Sequence, residues 1–480
     1  MSQASARPQA VFLEGPLMRH VAVMTATGSI GLMAVFVVDL LSLLYVSWLG
    51  RPEATAGVGF ATIVLYLMVS VNVGLMIAVT ALTSRSIGAG DRPAARRIAA
   101  STLVLAALVA LVLSLAALPF LPKLLSLLGA RDQSHAVALS FLYIVLPSNI
   151  LMAIGMGLSG ILRAVGDARR AMFVTLGGGI VTAGLDPLLI FGFGLGPDGA
   201  AIAIVLARVI ICAIGFHGCV VIHDMIEKPR LSFIRQDSAR TFAIAGPAIL
   251  TNLSNPIANA VFAGVVARFG DAAVAALAIM DRLVPVAFGV LFALSGAVGP
   301  ILGQNWGAGR FDRMRRGLTD AAIFAGASVL VSWALLFLFR GAVVSAFHAT
   351  GLTAELVLFF CLIAGPMWIF VGMLFVANAA FNNLGMPFLS TLFSWGRATL
   401  GTMPLAVLGA HLAGPKGALA GSALGAVAFG VLALVFAFRG ITRLERKAAQ
   451  RRAAIDLPGK DTLLSSPQNR NQEPAGERHR

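Results

Sequence analysis

The sequence predicts an all-α polytopic membrane protein in which twelve transmembrane helices form two pseudo-symmetric six-helix lobes. The first observation is composition: 58% of the 480 residues are hydrophobic and only 12% are charged, whereas a soluble domain carries about 25% charged residues. The second is the recurrence of apolar stretches long enough to cross the roughly 30 Å of hydrocarbon in a bilayer. The third is an internal repeat that relates the two halves of the chain. Lipid rather than water must therefore solvate most of this protein.

Clusters of charged residues, glycine and proline divide the apolar sequence into twelve segments. The first segment is about 30 residues long, which exceeds the apolar region of a signal peptide, so we expect it to be retained as a span. The predicted helices cover residues 18–46, 54–80, 96–121, 135–158, 170–194, 199–222, 240–267, 273–301, 318–340, 354–379, 388–411 and 417–438.

Lys and Arg are distributed unequally between alternate loops, and this difference orients the helices. One set of loops contains Arg85, Arg92, Arg96, Arg97, Arg163, Arg169, Arg170, Lys228, Arg230, Arg235, Arg240, Arg310, Arg313, Arg315 and Arg316, and the other contains only Arg51, Lys123, Arg131, Arg268, Arg340 and Lys416. Loops rich in basic residues remain in the cytoplasm. We therefore predict a multi-pass protein of the inner (cytoplasmic) membrane with both termini in the cytoplasm.

The same pattern divides the chain into five parts. These are a cytoplasmic N-terminus (1–17), an N-terminal six-helix lobe (18–222), a hydrophilic cytoplasmic linker (223–240), a C-terminal six-helix lobe (241–438) and a basic cytoplasmic tail (439–480). The tail begins with basic residues that suit the membrane surface. It ends in a stretch rich in Ser, Pro, Asn and Gln, which we expect to be disordered.

Landmarks of the first half recur in the second at an offset of about 219 residues, which is the self-similarity expected of an internal repeat. The matching pairs are Gly88-Ala89-Gly90 with Gly307-Ala308-Gly309, Pro147 with Pro366, Gly166 with Gly385, and residues 195–200 with residues 413–418. Each repeat holds an even number of spans, so both halves begin on the cytoplasmic side and are related by an axis along the membrane normal. Because transporters with parallel repeats bind substrate between their halves, the repeat predicts a secondary transporter.

Two acidic residues within the predicted spans are candidates for function, because a charge in lipid is costly. Asp39 and Asp186 lie in the N-terminal lobe, roughly 30 Å and 24 Å from the cytoplasmic ends of their helices at 1.5 Å per residue. Removal from water favours the neutral form of a carboxyl group, so two of them at similar depth can take up and exchange a proton. We predict both as cation- or proton-coupling residues. The alternative is a structural role, with hydrogen bonds to Ser42 or Tyr45, or, for Asp186, to backbone freed by Pro187.

Other charged residues within the spans are open to more than one interpretation. Asp281 and Arg282 are adjacent in the eighth span, where we expect an internal ion pair or a contact across the lobes, with a direct functional role as the alternative. Arg208 and Arg397 would oppose cation binding if they faced a cavity. Snorkelling to the interface or pairing is the alternative for both.

Motifs of several other protein classes are missing. The three cysteines have neither CxxC nor paired spacing, so we predict no disulfide framework and no zinc site. No Walker A, HExxH or GxSxG sequence occurs, so we predict neither ATP-driven transport nor an enzyme, and no cofactor or metal beyond the coupling ion. The net charge of +15 does not predict nucleic-acid binding, because the basic residues lie in short loops and the tail rather than on one face.

The motifs of this chain, taken in order, resemble those of the multidrug and toxic compound extrusion (MATE) family over roughly residues 15–440. They are Val38-Asp39, Leu49-Gly50, Ser86-Ile87-Gly88-Ala89-Gly90-Asp91, Leu162-Arg163-Ala164-Val165-Gly166-Asp167, Leu185-Asp186-Pro187-Leu188-Leu189-Ile190-Phe191-Gly192, Gly199-Ala200-Ala201-Ile202-Ala203 and Gly303-Gln304-Asn305-Trp306-Gly307-Ala308-Gly309. The resemblance implies a MATE-like fold. It also implies that Asp39 and Asp186 correspond to the coupling carboxylates of the DinF-like subgroup.

Two positions depart from the pattern of that subgroup. Thr182 stands where the pattern has Asn, and Ile204 stands where it has Thr. Because a hard cation such as sodium needs several oxygen ligands, these departures favour the proton. The C-terminal lobe lacks the acidic residues that other subgroups use, so we expect coupling in the N-terminal lobe only. The supporting polar groups are Thr182, Asn255, Asn259, Asp281 and Arg282.

The resulting prediction is a secondary active antiporter that exports amphipathic organic compounds and drugs in exchange for protons, with sodium as the alternative ion, by rocking of two lobes. Its partners are a small amphipathic substrate and the lipid bilayer, without nucleic acid, and we expect a monomer. A flippase for a lipid-linked precursor is the first alternative, and its basic cavity would have to use Arg208, Arg282 and Arg397. A scaffold or channel without coupling is the second, and it predicts that replacing Asp39 leaves function intact.

Overall fold

The computed structural model describes residues 10–455, with side chains described through Gln450, and this part of the chain forms helices without a strand. Eleven of its helical stretches are long and apolar enough to cross a membrane. The last of them, Pro387–Gln450, is interrupted where Ala413 and Gly414 leave helical backbone geometry, so it consists of two helices. The prediction of twelve membrane helices is therefore confirmed.

The helices follow one another in the predicted order, after a short 3₁₀ turn at Val11–Leu13. They are α1 (Leu17–Ser47), α2 (Pro52–Gly88), α3 (Arg92–Leu127), α4 (Asp132–Val165), α5 (Ala168–Gly192), α6 (Pro197–Ile222), α7 (Leu231–Ala267), α8 (Asp271–Gly307), α9 (Phe311–Ala346), α10 (Gly351–Asn383), α11 (387–412) and α12 (415–455). Most are longer than their predicted segments, because an apolar stretch marks only the part of a helix that lies in lipid.

Two predicted boundaries need correction because helices continue into polar sequence. α7 begins at Leu231, so the second half of the predicted linker (223–240) is helical. α12 continues to Ile455, so the predicted tail (439–480), for which an interfacial start followed by disorder was expected, begins as a continuation of the last helix. Arg, Lys, Glu and Ala dominate this extension, and all four are good helix formers. The rest of the predicted tail, residues 456–480, and the chain before residue 10 lie outside the described residues.

Left-handed backbone residues recur at the positions that the sequence repeat pairs. Many helices end in such a residue, which glycine adopts without strain. The recurring pairs are Gly90 (φ 76°) with Gly309 (φ 68°), Gly166 (φ 90°) with Gly385 (φ 75°), and Gly196 (φ 57°) with Gly414 (φ 61°). Short 3₁₀ turns around a proline also recur, at Leu146–Ser148 and Gly365–Met367. The sequence repeat is therefore also a structural repeat.

The two lobes meet most closely at the ends of the equivalent helices α2 and α8, on the side that the basic loops predict to be cytoplasmic. A Cβ atom added to Gly88 would lie 2.0 Å from the carbonyl oxygen of Gln304, and one added to Gly307 would lie 2.1 Å from the carbonyl oxygen of Arg85. The two contacts are related by the repeat. The Arg85 guanidinium also lies 3.9 Å from the centre of the Trp306 ring. Only residues without a side chain allow the backbones of two membrane helices to approach this closely.

Contacts between the lobes continue toward the middle of the membrane. An added Cβ atom at Gly74 in α2 would lie 2.4 Å from Cγ1 of Ile249 in α7, and one at Gly28 in α1 would lie 3.5 Å from Cβ of Ala293 in α8. The lobes therefore touch from these helix ends to about the middle of the helices. This arrangement closes the protein on the side that is predicted to be cytoplasmic.

The segment Val11–Leu13 reinforces this closure by packing between the lobes. The Phe12 side chain is only 1% exposed. Its backbone N–H donates to Oε1 of Gln304 at 3.0 Å, and its carbonyl oxygen accepts from Nη2 of Arg313 at 3.0 Å. Gln304 also donates to the carbonyl oxygen of Ala164 in the other lobe at 2.8 Å. The predicted cytoplasmic N-terminus therefore contains a short apolar segment that joins the two lobes.

The linker between the lobes is tied to the N-terminal lobe through Asp167. This residue accepts hydrogen bonds from the backbone N–H of Arg170 at 3.0 Å and from Nε2 of His223 at 2.8 Å, and it pairs with the Arg170 side chain. Burial raises the pKa of Asp167, but the hydrogen bonds and the ion pair with Arg170 outweigh burial and hold the pKa below its ordinary value. The carboxyl group is therefore an anion that fixes the start of α5 and the start of the linker together.

Replacing Gly88 with alanine is expected to shift the lobes away from this closed arrangement, because the added methyl group would overlap the Gln304 carbonyl group. The distance between spin labels on Ala89 and Arg310, measured by double electron–electron resonance, should then increase. Gly59→Ala is the matched control, since Gly59 lies in the same helix with nothing within 4 Å of an added Cβ atom. Identical distance distributions for the two variants would contradict the assigned contact.

Candidate functional site

Asp186 is a fully buried residue in the N-terminal lobe, with 0% of its surface exposed. It lies directly before Pro187 in α5, and the chain continues as a π-helical turn over Leu188–Gly192. Proline has no N–H group to donate, so a regular helix cannot pass this point without losing a hydrogen bond. Turns of the π type occur frequently at functional sites. The local sequence therefore places the carboxyl group at an irregular, buried point of its helix.

A single side-chain hydrogen bond connects Asp186 to α1. The hydroxyl group of Ser42 donates to Oδ2 of Asp186, whereas Oδ1 is buried without a hydrogen-bond partner in the described part of the chain. A buried carboxylate with unfilled acceptor sites is costly, and uptake of a proton removes its charge. The hydrogen bond to Ser42 that the structural alternative predicts is therefore present. It leaves the Oδ1 atom of Asp186 available to take up a proton.

Asp39 lies close to Ser42 and Asp186, on the side of α1 that faces the other lobe. It precedes Ser42 by three residues, so the two side chains are neighbours one turn apart on α1. It also follows Gly28 by about three turns, which places both residues on one face of the helix, and Gly28 contacts Ala293 of the C-terminal lobe. Asp39 itself is exposed. Because Asp39 lies on the face of α1 that meets the C-terminal lobe at Gly28, its exposure indicates a gap between the lobes at its depth, which we call the cleft.

Few side-chain oxygen atoms accompany Asp186. Thr182, one turn earlier on α5, donates its hydroxyl proton to the carbonyl oxygen of Gly178 at 3.0 Å. The side chain of Ile204 in α6 carries no oxygen atom. A sodium site needs several oxygen ligands, and coupling to protons rather than to sodium stays a prediction.

A row of amide side chains lines one face of α7 in the C-terminal lobe. Asn252, Asn255 and Asn259 recur at intervals of three and four residues, which brings them onto the same side of a helix. This side of α7 lies between two residues with known contacts. Ile249 contacts the N-terminal lobe, and Thr251 forms a hydrogen bond with α11. Asn259 is exposed and Asn255 is partly buried. The structure therefore places the predicted supporting residues Asn255 and Asn259 at the border of the cleft.

Arg397 approaches this row from α11. Its Nη2 atom donates to Oδ1 of Asn255 at 2.7 Å, whereas its Nε atom is buried without a hydrogen-bond partner among the described residues. Arg397 is also the first residue of a π-helical turn, Arg397–Thr402. Sequence reasoning left open whether this arginine faces a cavity or is paired. The structure pairs it with a neutral amide at the border of the cleft.

Asp281 and Arg282 do not form the predicted ion pair, because successive residues of a helix project about 100° apart. Neither takes part in an ion pair within the described part of the chain, and both are exposed. Arg282 precedes Gly289 by about two turns and shares its face, and Gly289 lies against Met33 of α1. Arg282 therefore faces the cleft from the C-terminal lobe, opposite α1.

Arg208 has a structural role, and sequence reasoning left open whether it faces a cavity or is paired. It is only 6% exposed, and its Nη1 atom donates to the carbonyl oxygen of Val145 at 3.0 Å and to the hydroxyl group of Ser148 at 2.8 Å. Both acceptors flank Pro147, at the 3₁₀ turn that interrupts α4. Carbonyl groups freed near a proline need other donors. Arg208 satisfies one of them and is not available to the cleft.

Comparison with known proteins agrees with the two-lobed arrangement. The sequence profile of the MatE family matches residues 29–188 and 247–408, one match in each lobe. The chain is 31% identical over 421 residues to the FAD transporter of Shewanella oneidensis, covering 85% of this chain and 91% of that protein. It is 25% identical over 304 residues to the multidrug export protein MepA of Staphylococcus aureus, covering 61% of this chain and 66% of that protein.

Solved structures agree with the fold. The Vibrio cholerae MATE transporter VcmN in its bent form superposes with a TM-score of 0.85 at 25% identity, over 89% of this chain and 98% of that one. A transporter of the MOP superfamily from Pyrococcus furiosus superposes with a TM-score of 0.84 at 21% identity, over 91% and 98%. Two six-helix lobes with a cleft between them define a membrane transporter. The chain belongs to the MatE family of multidrug and toxic compound extrusion (MATE) transporters; its place in the DinF-like subgroup stays a prediction.

Replacing Arg208 with glutamine is expected to lower the free energy of unfolding by about 2 kcal/mol, because a charged donor to two buried acceptors is lost. Thermal unfolding of the purified protein in lipid nanodiscs measures this loss. Arg340→Gln is the matched control, since the Arg340 guanidinium bonds only within its own helix, to the carbonyl oxygen of Phe337. Equal melting temperatures for the two variants would contradict the structural role of Arg208.

Proposed function

We propose that this transporter exports amphipathic organic compounds across the inner membrane in exchange for protons, and that Asp186 and Asp39 carry the exchanged proton. The observation that carries the proposal is the buried carboxyl group of Asp186, with one oxygen bonded to Ser42 and the other without a partner among the described residues. Similarity to a protein named multidrug export protein supports the substrate class. The excess of basic residues in one set of loops supports cytoplasmic termini.

α1 connects the proposed proton site to the interface between the lobes. Its outer part carries Asp39 and Ser42, and its inner part packs Gly28 against Ala293 of α8. A charged Asp186 only accepts hydrogen bonds, whereas a protonated one can also donate, so the bonding between α1 and α5 changes with protonation. A resulting shift of α1 against α8 would favour opening at the cytoplasmic surface and closure of the cleft. Proton uptake and release would in this way drive the rocking of the lobes.

Export of a flavin dinucleotide is a second candidate function. It is favoured by the 31% identity that extends over 91% of the Shewanella oneidensis FAD transporter. The cleft also has positive charge on its C-terminal wall from Arg282 and Arg397, and guanidinium groups suit phosphate. A flippase for a lipid-linked precursor would draw on the same two charges. Arg208 cannot contribute to it, because its guanidinium is bonded to Val145 and Ser148.

Asp186→Asn and Asp39→Asn are each expected to abolish ethidium efflux driven by a pH gradient, because an amide cannot take up the proton that a carboxylate accepts. Efflux is measured by ethidium fluorescence in everted membrane vesicles, with a pH gradient and a sodium gradient imposed separately. The wild-type protein should respond to the pH gradient and not to the sodium gradient.

Asp281→Asn is the matched control for these variants, because Asp281 is an exposed carboxyl group within a span of the other lobe. It should retain pH-driven efflux. Retention of this efflux by Asp186→Asn would exclude Asp186 as the coupling residue. No efflux of ethidium by the wild-type protein under either gradient would reject the multidrug exporter and leave the dinucleotide exporter and the flippase.

A further inference from the structure

Arg397 carries a positive charge within the membrane and has no acidic partner among the described residues. Its guanidinium donates to the neutral Oδ1 atom of Asn255 at 2.7 Å, and its Nε atom is buried without a hydrogen bond in the same part of the chain. None of the ion pairs formed by the described residues involves it. Charged residues within a membrane are costly, and they mark substrate and ion pathways. Arg397 therefore has donors available for a negatively charged acceptor.

These donors lie near the middle of the membrane and at the border of the cleft. Arg397 is roughly 15 Å along α11 from its start at Pro387. It is partly exposed. The amide that it bonds belongs to the row formed by Asn252, Asn255 and Asn259, which lies beside the face of α7 that meets the other lobe. A molecule in the cleft would therefore reach both the guanidinium and the amide groups.

Arg282 adds a second positive charge to the same wall. It lies roughly 16 Å from the outer end of α8 at Asp271, and Asp39 lies roughly 12 Å from the outer end of α1 at Ser47. The two residues are therefore at nearly the same depth on opposite walls of the cleft. Asp281 projects to another side of α8 and pairs with neither arginine. The N-terminal wall consequently carries the acidic group and the C-terminal wall carries the basic groups.

We propose that Arg397 and Asn255, assisted by Arg282, bind the negatively charged oxygens of a phosphate-bearing substrate in the cleft. The planar guanidinium group matches phosphate with two parallel hydrogen bonds. Asn255 accepts from Arg397 through its oxygen, so its amide N–H groups are free to donate to the same phosphate. This inference rests on the proposed function only in taking the cleft as the transport path. It names the substrate class and does not depend on the coupling ion.

The phosphate could belong to a soluble nucleotide or to the diphosphate head of a lipid-linked compound, since both present the same oxygens. The probes are therefore FAD, riboflavin, ADP and farnesyl diphosphate. Riboflavin carries the ring system of FAD without phosphate, so their difference in affinity isolates the phosphate contribution. Competition against FAD by ADP or by farnesyl diphosphate distinguishes the two sources. Stronger competition by either compound supports the phosphate site.

The test is equilibrium binding to the full-length protein in lipid nanodiscs, measured by flavin fluorescence. FAD should bind more tightly than riboflavin. Arg397→Gln should weaken FAD binding by about tenfold or more, as expected for loss of a charge-assisted hydrogen bond, and leave riboflavin binding unchanged. Asn255→Asp should cause the same loss by placing a carboxylate against the guanidinium, whereas Arg397→Lys should retain part of the affinity.

Arg340→Gln is the control for the loss of one arginine outside the cleft, and thermal unfolding verifies that each variant is folded. The proposal is overturned if FAD and riboflavin bind equally to the wild-type protein. It is also overturned if folded Arg397→Gln and Asn255→Asp both bind FAD like the wild-type protein. Because no gradient is imposed, a failure of proton coupling would appear only in the efflux experiment and would leave these binding results unchanged.

Discussion

The close contact of α2 with α8 at Gly88 and Gly307 is the constraint on which the rest of the structure depends. These residues are related by the internal repeat, and each leaves room for a backbone carbonyl of the other lobe. In lipid, helices associate through close packing and hydrogen bonds rather than through exclusion of water. A contact at one end of two long helices leaves their other ends free to separate. Closure at this end and the cleft at the other end are therefore parts of one arrangement.

The two walls of the cleft carry side chains of opposite charge. The N-terminal wall carries Asp39, with Asp186 buried behind it and bonded to Ser42. The C-terminal wall carries Arg282 and Arg397. A substrate that binds the basic wall would not displace the proton site directly, so coupling would act through the position of α1. Under the proposed function, this separation would allow the same proton site to serve substrates of different structure.

The sequence was sufficient to predict what hydropathy, charge and repetition encode. The twelve spans, the repeat and the candidate role of Asp39 and Asp186 follow from local features of the chain. Bonds between distant residues could not be predicted, such as those of Arg208 to Val145 and Ser148, because nothing in one sequence pairs positions about 60 residues apart. The only signal in the sequence was Pro147, because a proline within a helix leaves a nearby carbonyl group that needs another hydrogen-bond donor.

Helix ends and short apolar segments were the other source of error. Hydropathy locates the lipid-embedded part of α7 and not its start at Leu231, which lies among polar residues. The burial of Phe12 was missed because a three-residue apolar segment is too short to register as a span, although Val11-Phe12-Leu13 interrupts an otherwise polar N-terminus. The ion pair of Asp281 with Arg282, which was one of the alternatives that the sequence left open, does not form, because successive residues of a helix project about 100° apart.

The central claim is that protonation of Asp186 changes the relative position of the lobes. The most direct test is the distance between spin labels on Ala89 and Arg310, measured across a range of pH in the wild-type protein and in Asp186→Asn. The account predicts that the distance distribution of the wild-type protein changes with pH and that the distribution of Asp186→Asn does not. A pH-dependent change that persists in Asp186→Asn, or a wild-type distribution that is the same at every pH, would contradict it.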